Sequence, residues 1–176
     1  MTPISKPNII YNRREIAKIV ERLANQINRD NAGGTLLLIC VLKGAFIFMA
    51  DLVRHLEGKT EIEFIGLSSY RCGQDSKGKV EINRPLTCLL KGRNVLVVED
   101  IIDTGITTDF LLKELRQMKP KTLKLCCLLD KPSRRKMKVV VDYKGFTVPD
   151  KFLVGYGLDY AEDYRHLPDI CYLEDI

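Results

Sequence analysis

Apolar residues in this chain recur in two alternating patterns. From Asn12, which can cap a helix, to about residue 29 they recur at helical spacing, with charged side chains between them. The runs TLLLICVL, NVLVVE and TLKLCCLL are instead apolar almost without a break and have the length of strands. Continuous apolar runs of this length are typical of strands that are covered on both faces in a parallel sheet.

Further helices and strands are predicted around these runs. AFIFMADLVRHL and the stretch near 107–118 indicate helices, and EIEFIGLSS at 61–69 indicates another strand. Residues 69–79 are polar and contain two glycines, so we expect a mobile loop there, with VEI at 80–82 as its returning arm. Beyond Lys131 only short strand-like pieces occur, namely VVVDY, FLV and CYLE.

The alternation of strands and helices predicts an α/β fold, with a central, mainly parallel sheet flanked by helices. The irregular last third of the chain predicts a small hood, drawn from its C-terminal and N-terminal parts, over the strand ends. We expect a single domain over residues 1–176, with a core at about 10–130 and a hood mainly at 131–176. In such a fold a ligand binds where the carboxyl ends of the strands meet the turns that follow.

Composition narrows the class of protein. The net charge of +5 suits an anionic small ligand, and with 7% aromatic residues and no Trp no stacking platform for nucleic acid stands out. The cysteines lack C-x-x-C spacing, which argues against paired disulfides and a zinc site. The N-terminus has no signal pattern and no apolar run could span a bilayer, so we expect a cytoplasmic protein with no membrane and no nucleic-acid partner.

Several common motifs are missing. The chain has no G-x-x-x-x-G-K-[ST], and no G-x-G-x-x-G follows a strand, so neither a P-loop hydrolase nor a dinucleotide fingerprint is indicated. His55 and His166 belong to no metal-binding pattern, and we interpret both as residues without a catalytic role.

One turn shows the pattern of an anion site. In VLVVEDIIDTGIT an apolar strand leads into Glu99 and Asp100, and the turn DTGIT follows at a helix start. Gly105 permits close backbone approach, and the N–H groups and threonine hydroxyls of such a turn can bind a phosphate. Taken alone, DTGIT is better explained as a capped helix start, because short capping patterns recur by chance.

Glu99, Asp100 and Asp103 indicate a ligand site more strongly than the turn alone does. Three acidic residues beside an anion need tasks of their own, such as accepting hydrogen bonds from sugar hydroxyls, supporting Mg²⁺ or taking a proton. A phosphorylated ribose asks for such groups, and a merely solvated strand end would not resume with Ile101 and Ile102. Lys43 and Gly44, which follow the first predicted strand of the sheet, add a second and weaker anion site along the same edge.

These motifs together resemble a known family. VLVVEDIIDTGIT resembles the phosphoribosyl-pyrophosphate (PRPP) motif of type I phosphoribosyltransferases, and the form EDIIDTG is most similar to that of the hypoxanthine-guanine phosphoribosyltransferases. VLKGAFIFMADLVRHL resembles their pyrophosphate loop, LLDKP their purine-recognition segment, and VPDKFLVGYGLDYAEDYRHLPDIC their C-terminal cap. The resemblance spans roughly residues 10–174 and implies purine salvage. The reaction would be transfer of 5-phosphoribosyl from PRPP to N9 of hypoxanthine or guanine, giving IMP or GMP and pyrophosphate.

The resemblance also implies a role for each residue of the PRPP motif. Glu99 and Asp100 would hold the ribose hydroxyls and support Mg²⁺, the implied cofactor. Asp103 would be the catalytic base, acting at N7 of the purine. The 5′-phosphate would be bound by the turn residues Thr104, Gly105, Ile106 and Thr107.

Other segments would complete the site. Lys131 would donate to the 6-oxo group, Phe152 would stack on the base, and Leu153 would read the base edge through its backbone. Because Lys is donor-only, a 6-oxopurine should be preferred and adenine rejected. Asp159 would help to hold a second Mg²⁺, and Ser69 and Tyr70 would belong to the mobile loop that closes over the substrate. Pyrophosphate would be bound by Leu42, Lys43, Gly44 and Arg165, in this family often across a cis peptide before the lysine.

Some points stay open at this stage. Ile106 stands where some relatives carry Lys, so an extra charge for pyrophosphate is missing, although backbone binding of phosphate should survive. The family also implies a homodimer or homotetramer. One alternative is a regulator that senses PRPP or nucleotides and binds RNA or DNA, which the basic residues at 131–138 and the pI of 8.9 allow, but which would not need Asp103. The other is a transferase for xanthine or another base, since Lys131 accepts any 6-oxopurine.

Overall fold

The structure, a computed structural model, describes residues 7–32, 34–70 and 79–174, without the side chains of Ser69, Tyr70 and Lys79. The central part of the predicted mobile loop, residues 71–78, therefore lies outside the described residues. In chain order the helices and strands are β1 (Asn8–Tyr11), α1 (Arg13–Asp30), β2 (Leu36–Leu42), α2 (Phe46–Val53), β3 (Thr60–Tyr70), β4 (Lys79–Arg84), β5 (Asn94–Ile102), α3 (Ile106–Gln117), β6 (Thr122–Asp130), β7 (Tyr143–Thr147), β8 (Phe152–Val154) and β9 (Ile170–Leu173).

A mainly parallel sheet forms the centre of the molecule, in the order β4-β3-β2-β5-β6-β7. Neighbouring strands run parallel from β3 to β7, and only β4, which returns antiparallel along β3, departs from this direction. The predicted α/β fold is thereby confirmed, and the returning arm at 80–82 is part of β4. The carboxyl ends of β2, β5 and β6 meet at one edge of the sheet.

Strand β2 shows why its sequence is continuously apolar. Leu37 and Ile39 belong to the core on the α3 side of the sheet, whereas Leu38 and Cys40 belong to the core on the side of α1 and α2. All four are buried. Both faces of the strand are covered, so each such aliphatic side chain contributes about 1.5–3 kcal/mol of burial free energy.

Helix α1 begins with the cap that its sequence predicts. The side chain of Asn12 accepts hydrogen bonds from the N–H groups of Arg14 and Glu15, and Glu15 accepts one from the N–H of Asn12. This reciprocal capping box satisfies N–H groups that a helix start leaves open. The apolar face of α1 then packs into the core through Ile16, Val20, Leu23, Ala24 and Ile27.

The structure differs from the sequence-based elements at several ends. Strand β5 continues through Ile102 because its last residues pair with β6, so Glu99 and Asp100 lie within the strand and not after it. Helix α2 ends at Val53, where the N–H groups of His55 and Leu56 turn back to carbonyls three residues earlier. The predicted strand VVVDY is wrong, because β7 begins only at Tyr143. Its valines are apolar for another reason: Val139 and Val141 pack against the α3-side core from a loop.

A second, antiparallel sheet in the order β1-β9-β8 forms the hood. Its first strand, β1, carries no clear apolar pattern and was missed in the sequence. The ring of Tyr11 in β1 stacks on Phe146 of β7 with 3.8 Å between ring centroids. The N–H of Arg13 donates to Asp169 Oδ1 at 2.7 Å, which ties the start of α1 to the loop before β9. The hood therefore joins residues from both ends of the described chain.

Cysteines in the described structure are free thiols. Cys40, Cys126, Cys127 and Cys171 are buried, and Cys88 is partly buried. Burial, with a smaller contribution from the charges of Glu99 and Asp100, raises the pKa of Cys40 to about 12. These thiols therefore stay protonated and act as small apolar side chains. Of the helices in the described ranges, none combines the length and the apolar character needed to cross a bilayer.

Candidate active site

Three adjoining cavities lie at the edge where the carboxyl ends of the parallel strands meet. The phosphate cavity, of about 260 Å³, is lined by the end of β5 and the turn before α3. The base cavity, of about 320 Å³, lies between that turn and the hood, and the outer cavity, of about 370 Å³, lies beside β3 and β4. Among the predicted site residues, the cavities are lined by Leu42, Lys43, Gly44, Glu99, Asp100, Asp103, Thr104, Gly105, Thr107, Lys131, Phe152, Leu153, Asp159 and Arg165.

The turn between β5 and α3 presents unpaired N–H groups to the phosphate cavity. Gly105 has a φ of 79°, a left-handed conformation that favours glycine. Within the described chain, no protein acceptor meets the N–H groups of Thr104, Gly105, Thr107 and Thr108. A concave set of N–H donors at the start of a 12-residue helix attracts an anion.

Glu99 and Asp100 line the wall of the same cavity. Glu99 is 5% exposed, and burial raises its pKa well above the ordinary value, with the charge of Asp100 adding to the effect. Burial likewise raises the pKa of Asp100 to about 6, against the opposing hydrogen bond that Asp100 accepts from the N–H of Ile101 at 2.8 Å. Two neighbouring carboxyl groups whose pKa values are raised by burial are suited to a ligand that brings hydroxyl donors or a divalent cation.

Asp103 lies where the phosphate cavity meets the base cavity. Its buried Oδ1 has no hydrogen-bond partner in the part of the chain that the structure describes. The Nε of Arg134 lies 3.3 Å from this oxygen, which makes an ion pair although the atoms are not aligned for a hydrogen bond. The oxygen is thus held as an available proton acceptor.

The base cavity combines a buried lysine with an exposed aromatic ring. Lys131 is only 5% exposed, which excludes its interpretation as a surface charge. Its Nζ donates to the carbonyl of Lys151 at 2.8 Å and keeps further donors for a ligand. Phe152 is 43% exposed and packs edge-on against Tyr160, so one ring face is open to the cavity. Leu153 is buried next to Phe152 in β8.

The loop after β2 crosses the site beneath the hood. Its first peptide bond, Leu42-Lys43, is cis, as the family resemblance implied. The N–H groups of Lys43 and Gly44 meet no acceptor among the described residues. The Nζ of Lys43 lies 3.0 Å from each carboxylate oxygen of Glu162, a residue of the hood that the sequence analysis did not single out.

Glycine is required where this loop meets its neighbours. A Cβ on Gly44 would overlap the carboxylate of Asp100, and a Cβ on Gly157, at a φ of 102°, would overlap the carbonyl oxygen of Gly44. Gly44 therefore lies packed between the end of β5 and the hood. Gly157 belongs to a Gly-x-Gly pair that matched no nucleotide motif in the sequence, and the structure explains it by this close approach.

Arg165 and Asp159 form the hood side of the base and outer cavities. The guanidinium of Arg165 donates to the carbonyl of Gly157 at 2.8 Å and pairs with Asp159 Oδ1 at 2.8 Å. Its buried Nε has no hydrogen-bond partner in the described structure. The second carboxylate oxygen of Asp159 accepts the N–H of Glu162 at 2.9 Å. A metal ion at Asp159 would have to share or replace these contacts.

Some predicted residues lie apart from the cavities. The side chain of Ile106 is 42% exposed and does not line them, so only its backbone can contribute to the turn. The side chains of Ser69 and Tyr70 lie outside the described residues, and their contacts with substrate stay a prediction. Among the described residues, no three His, Cys, Asp or Glu side chains gather as a ready metal site.

Other residues line the cavities although the sequence analysis did not assign them. Ile101 borders both the phosphate and the base cavity, and Arg84 borders the outer cavity beside Lys43. Ile101 was passed over because an apolar residue in a strand predicts core. Arg84 lies on β4, where no pattern in the sequence indicated that the strand reaches the site.

The basic run at 131–138 is largely paired within the chain. Arg134 pairs with Asp103 and Asp150, and Arg135 pairs with the buried Asp130. Its best-placed cations are thus turned toward carboxylates and not toward an external polyanion. The feature that favoured a nucleic-acid-binding regulator therefore has a different role.

Comparison with known proteins places this geometry in context. Residues 8–161 match the family model described as phosphoribosyl transferase domain. The chain is 44% identical over 166 residues to a hypoxanthine-guanine phosphoribosyltransferase of Bacillus subtilis, covering 94% of this chain and 92% of the relative. It is 40% identical over 167 residues to one of Streptococcus pyogenes, with 95% and 93% covered.

Solved structures give the same picture. A hypoxanthine-guanine phosphoribosyltransferase from Bacillus anthracis superposes with a TM-score of 0.91 at 44% identity, covering 97% of this chain and 99% of that one. A hypoxanthine phosphoribosyltransferase from Trypanosoma cruzi, solved as a ternary complex with substrates, superposes with a TM-score of 0.90 at 36% identity, with 97% and 96% covered.

Proposed function

The chain belongs to the phosphoribosyltransferase family, in its hypoxanthine-guanine group, and we propose that it transfers the 5-phosphoribosyl group of PRPP to N9 of hypoxanthine or guanine. The products are IMP or GMP and pyrophosphate, the reaction of purine salvage. One observation carries the proposal: a turn of unpaired N–H groups, three carboxyl groups and a buried lysine line adjoining cavities. Each part suits a different portion of the same pair of substrates.

The phosphate cavity suits the ribose 5-phosphate portion of PRPP. The N–H groups and hydroxyls of Thr104 and Thr107, with Gly105 between them, bind the 5′-phosphate. Glu99 and Asp100 accept hydrogen bonds from the ribose hydroxyls, which replaces the water that burial has removed from these carboxyl groups.

The base cavity suits a 6-oxopurine. Lys131 donates to the 6-oxo oxygen, the open face of Phe152 stacks on the ring, and Asp103 takes the proton at N7. A 6-amino group would place a donor against the buried ammonium group of Lys131, so adenine is rejected. Leu153 reads the base edge through its backbone.

The outer part of the site suits the pyrophosphate group. The N–H groups of Lys43 and Gly44, with Leu42 before them, and the free Nε of Arg165 bind its oxygens. Lys43 donates to Glu162, and pyrophosphate would replace Glu162 as the acceptor for this ammonium group. Arg84 adds a cation at the rim of the same cavity, where Ile106 supplies none.

Mg²⁺ is the cofactor that fits these residues. Mg²⁺ is commonly held by one or two carboxylates together with substrate phosphates, so a cluster of three protein ligands is not needed. Glu99, which is buried, and Asp100, which is partly buried, would hold it at the ribose, and Asp159 would hold a second ion at the pyrophosphate. When bound, Mg²⁺ neutralises the charge that gathers on the departing pyrophosphate.

The order of bond changes follows from where charge can be stabilised. The bond from C1 of the ribose to pyrophosphate breaks ahead of full attack by N9, so positive charge grows on the ring and negative charge on the leaving group. Lys43 and Arg165 stabilise the leaving anion, and Glu99 and Asp100 lie beside the cationic ring. Asp103 removes the proton that the purine must lose.

We also propose that the protein forms a homodimer or homotetramer and is located in the cytoplasm.

Pyrophosphate release tests the proposal directly. The protein is incubated with PRPP and Mg²⁺ and, in separate reactions, with hypoxanthine, guanine, xanthine or adenine. We expect release with hypoxanthine and guanine, at least about 1,000-fold less with adenine, and none when EDTA replaces Mg²⁺. Pyrophosphate release with xanthine and with no other base would identify xanthine, instead of hypoxanthine or guanine, as the substrate. Salt-dependent binding of RNA without pyrophosphate release from any base would overturn it in favour of a regulator.

A further inference from the structure

We propose that Arg135 is a positioning residue for the phosphate turn, holding the backbone of residues 102–104 from behind so that the N–H groups of the turn face the substrate. The inference rests on the proposed function, because it assigns the turn to the 5′-phosphate. Arg135 lines none of the three cavities. It acts through the backbone of residues 102–104.

The guanidinium of Arg135 bridges consecutive carbonyl groups at the end of β5. Its Nε donates to the carbonyl of Asp103 at 3.2 Å, and its NH2 group donates to the carbonyl of Ile102 at 3.3 Å. The same NH2 group pairs with the carboxylate of Asp130, which is buried at the end of β6. The guanidinium is thus fixed at one end by a buried anion and at the other by the backbone of the turn.

Backbone N–H groups of residues 131–137, the segment that contains Arg135, also donate to the carbonyls of residues 102–104. The N–H of Lys131 donates to the carbonyl of Ile102 at 3.0 Å. The N–H groups of Lys136 and Met137 donate to the carbonyl of Thr104 at 2.9 and 3.1 Å. Every carbonyl from residue 102 to residue 104 therefore accepts a hydrogen bond from residues 131–137, of which Arg135, Lys136 and Met137 line none of the three cavities.

The consequence for the N–H groups is geometric. With the carbonyls of residues 102–104 held behind the turn, the N–H groups of Thr104 and Gly105 are left for the cavity, and they meet no protein acceptor among the described residues. The packing is close, because a Cβ on Gly105 would lie 3.0 Å from Cδ of Arg135. An anion site of N–H groups depends on such fixed orientation, since a misplacement of 1 Å costs roughly 100-fold in comparable sites.

Arginine is required at this position by the number of contacts. A guanidinium offers donors in a rigid, planar fork, so it can reach two carbonyls and a carboxylate together. A lysine at the same place has one nitrogen and can reach only some of these acceptors. Lys131, at the other end of the segment, faces the base cavity. The segment therefore fixes the relative positions of the phosphate turn and the base cavity.

Three variants test the proposal. Arg135→Ala removes the bridge, Arg135→Lys keeps the charge and part of the contact, and Lys138→Ala removes one charge from the same segment at an exposed residue that makes no hydrogen bond or ion pair with the described chain. Binding of ribose 5-phosphate is measured by calorimetry. The KM for PRPP and the KM for hypoxanthine are measured by pyrophosphate release, each with the other substrate saturating.

The expected result is a split between the two substrates. Arg135→Ala weakens ribose 5-phosphate binding and raises the KM for PRPP by roughly 10- to 100-fold, with the KM for hypoxanthine changed by less than about 3-fold. Arg135→Lys gives an intermediate loss, and Lys138→Ala stays within about 2-fold of the parent protein. Unchanged ribose 5-phosphate binding in Arg135→Ala, or an equal loss for both substrates, would overturn the proposal.

Folding and the assigned reaction are separated by design. Arg135→Lys replaces Arg135→Ala as the test if a circular dichroism melting curve shows that Arg135→Ala does not fold. An affinity for ribose 5-phosphate in Arg135→Lys equal to that of the parent protein would overturn the claim that a guanidinium group is required. If the parent protein binds ribose 5-phosphate but releases no pyrophosphate with any purine, the proposed function fails while the binding comparison still tests the role of Arg135.

Discussion

Some residues of the site have hydrogen-bond donors or acceptors that form no hydrogen bond with any described residue of the protein. Asp103 Oδ1 and Arg165 Nε are buried without a hydrogen-bond partner in the described structure, and the ammonium of Lys131 has used one donor on a backbone carbonyl. A buried polar atom without a partner costs about 1–3 kcal/mol, a cost that the matching ligand atom removes. In the proposed function, these are the atoms that bind the substrates.

Asp103→Asn tests the residue assigned as the base. The amide is close in shape to the carboxylate but cannot take a proton, so we expect ribose 5-phosphate binding within about 3-fold of the parent and turnover reduced by at least about 100-fold. Calorimetry and pyrophosphate release measure the two effects. Asp109→Asn, which removes a carboxylate paired with Lys113 on α3, is the matched control and should keep its turnover. Near-normal turnover in Asp103→Asn would contradict the assignment.

Glu99→Gln tests the buried carboxyl group through stability. The pKa of Glu99 is raised in the folded chain, so its contribution is fully present below the unfolded pKa and is lost as the pH rises through the folded pKa. Replacing it with a neutral amide should therefore stabilise the ligand-free protein at pH 8, by roughly 1–3 kcal/mol, and leave it nearly unchanged at pH 4. Urea unfolding at both pH values measures the difference.

Glu61→Gln serves as the control of opposite sign. The hydrogen bond from Arg93 lowers the pKa of Glu61, so its contribution is present at neutral pH and is lost as the pH falls through the folded pKa. This substitution should not stabilise the protein at pH 8. If both variants changed the free energy of unfolding at pH 8 equally, burial of Glu99 would not be the cause of the stabilisation.

At the scale of helices and strands, burial explains both the successes and the errors of the sequence analysis. The uninterrupted apolar run of β2 predicted a covered parallel strand, because both of its faces contact core. Val139 and Val141 carry the same signal without forming a strand, since packing from a loop buries them equally well. β1 gave no signal because its burial is partial and its partner, β9, lies at the far end of the chain.

Sequence distance also limits what could be predicted of the site. The residues of the phosphate turn are neighbours in the sequence, so the motif DTGIT and its neighbouring acids could be identified from the sequence. Contacts between distant segments could not: the pairing of Lys43 with Glu162 and the bridge from Arg135 to the carbonyl of Asp103 depend on how the hood and the segment after β6 fold back. Neither partner has a spacing that marks it.

The cap of α1 gives a clean test at this scale. Asn12→Ala removes the acceptor for two N–H groups of the first turn, so we expect the free energy of unfolding to fall by about 1 kcal/mol. Glu15→Gln keeps an acceptor for the N–H of Asn12 and should change it by less than about 0.5 kcal/mol. Urea unfolding measures both, and pyrophosphate release should stay at the parental level. A loss of activity in Asn12→Ala would mean that α1 affects the site more directly than its position indicates.

The whole molecule is organised as two sheets that, in the proposed function, bind different parts of the substrate pair. The main sheet carries the phosphate turn and the acids of β5, whereas the hood carries Phe152 and Leu153 on β8. The two share one hydrophobic core and also meet at the stacking of Tyr11 on Phe146 and at the hydrogen bond from the OH of Tyr156 to Asp51 at 2.6 Å. Loosening the hood should therefore weaken binding of the base more than binding of the 5′-phosphate.

Asp169→Ala tests this division. Asp169 accepts the N–H of Arg13 and precedes β9, the strand on which β8 is paired, so its loss should loosen the hood. We expect the KM for hypoxanthine to rise about 3- to 10-fold, a loss of roughly 1 kcal/mol, while the affinity for ribose 5-phosphate, which lacks the pyrophosphate assigned to Arg165, changes by less than about 2-fold. Steady-state pyrophosphate release gives the KM, and calorimetry gives the affinity for ribose 5-phosphate as the internal control. A loss confined to ribose 5-phosphate would reverse the assignment of the two sheets.

The pairing of the first hood strand with the last has a consequence for how the protein is made. Arg13 and Asp169 are 156 positions apart, so β1 leaves the ribosome long before its partner β9. Strands β2, β5 and β6 and the phosphate turn are all translated before that partner appears. The phosphate turn with Glu99 and Asp100 can therefore take shape on the nascent chain, whereas Phe152 and Leu153, on the strand that pairs with β9, are fixed only once β9 has been translated.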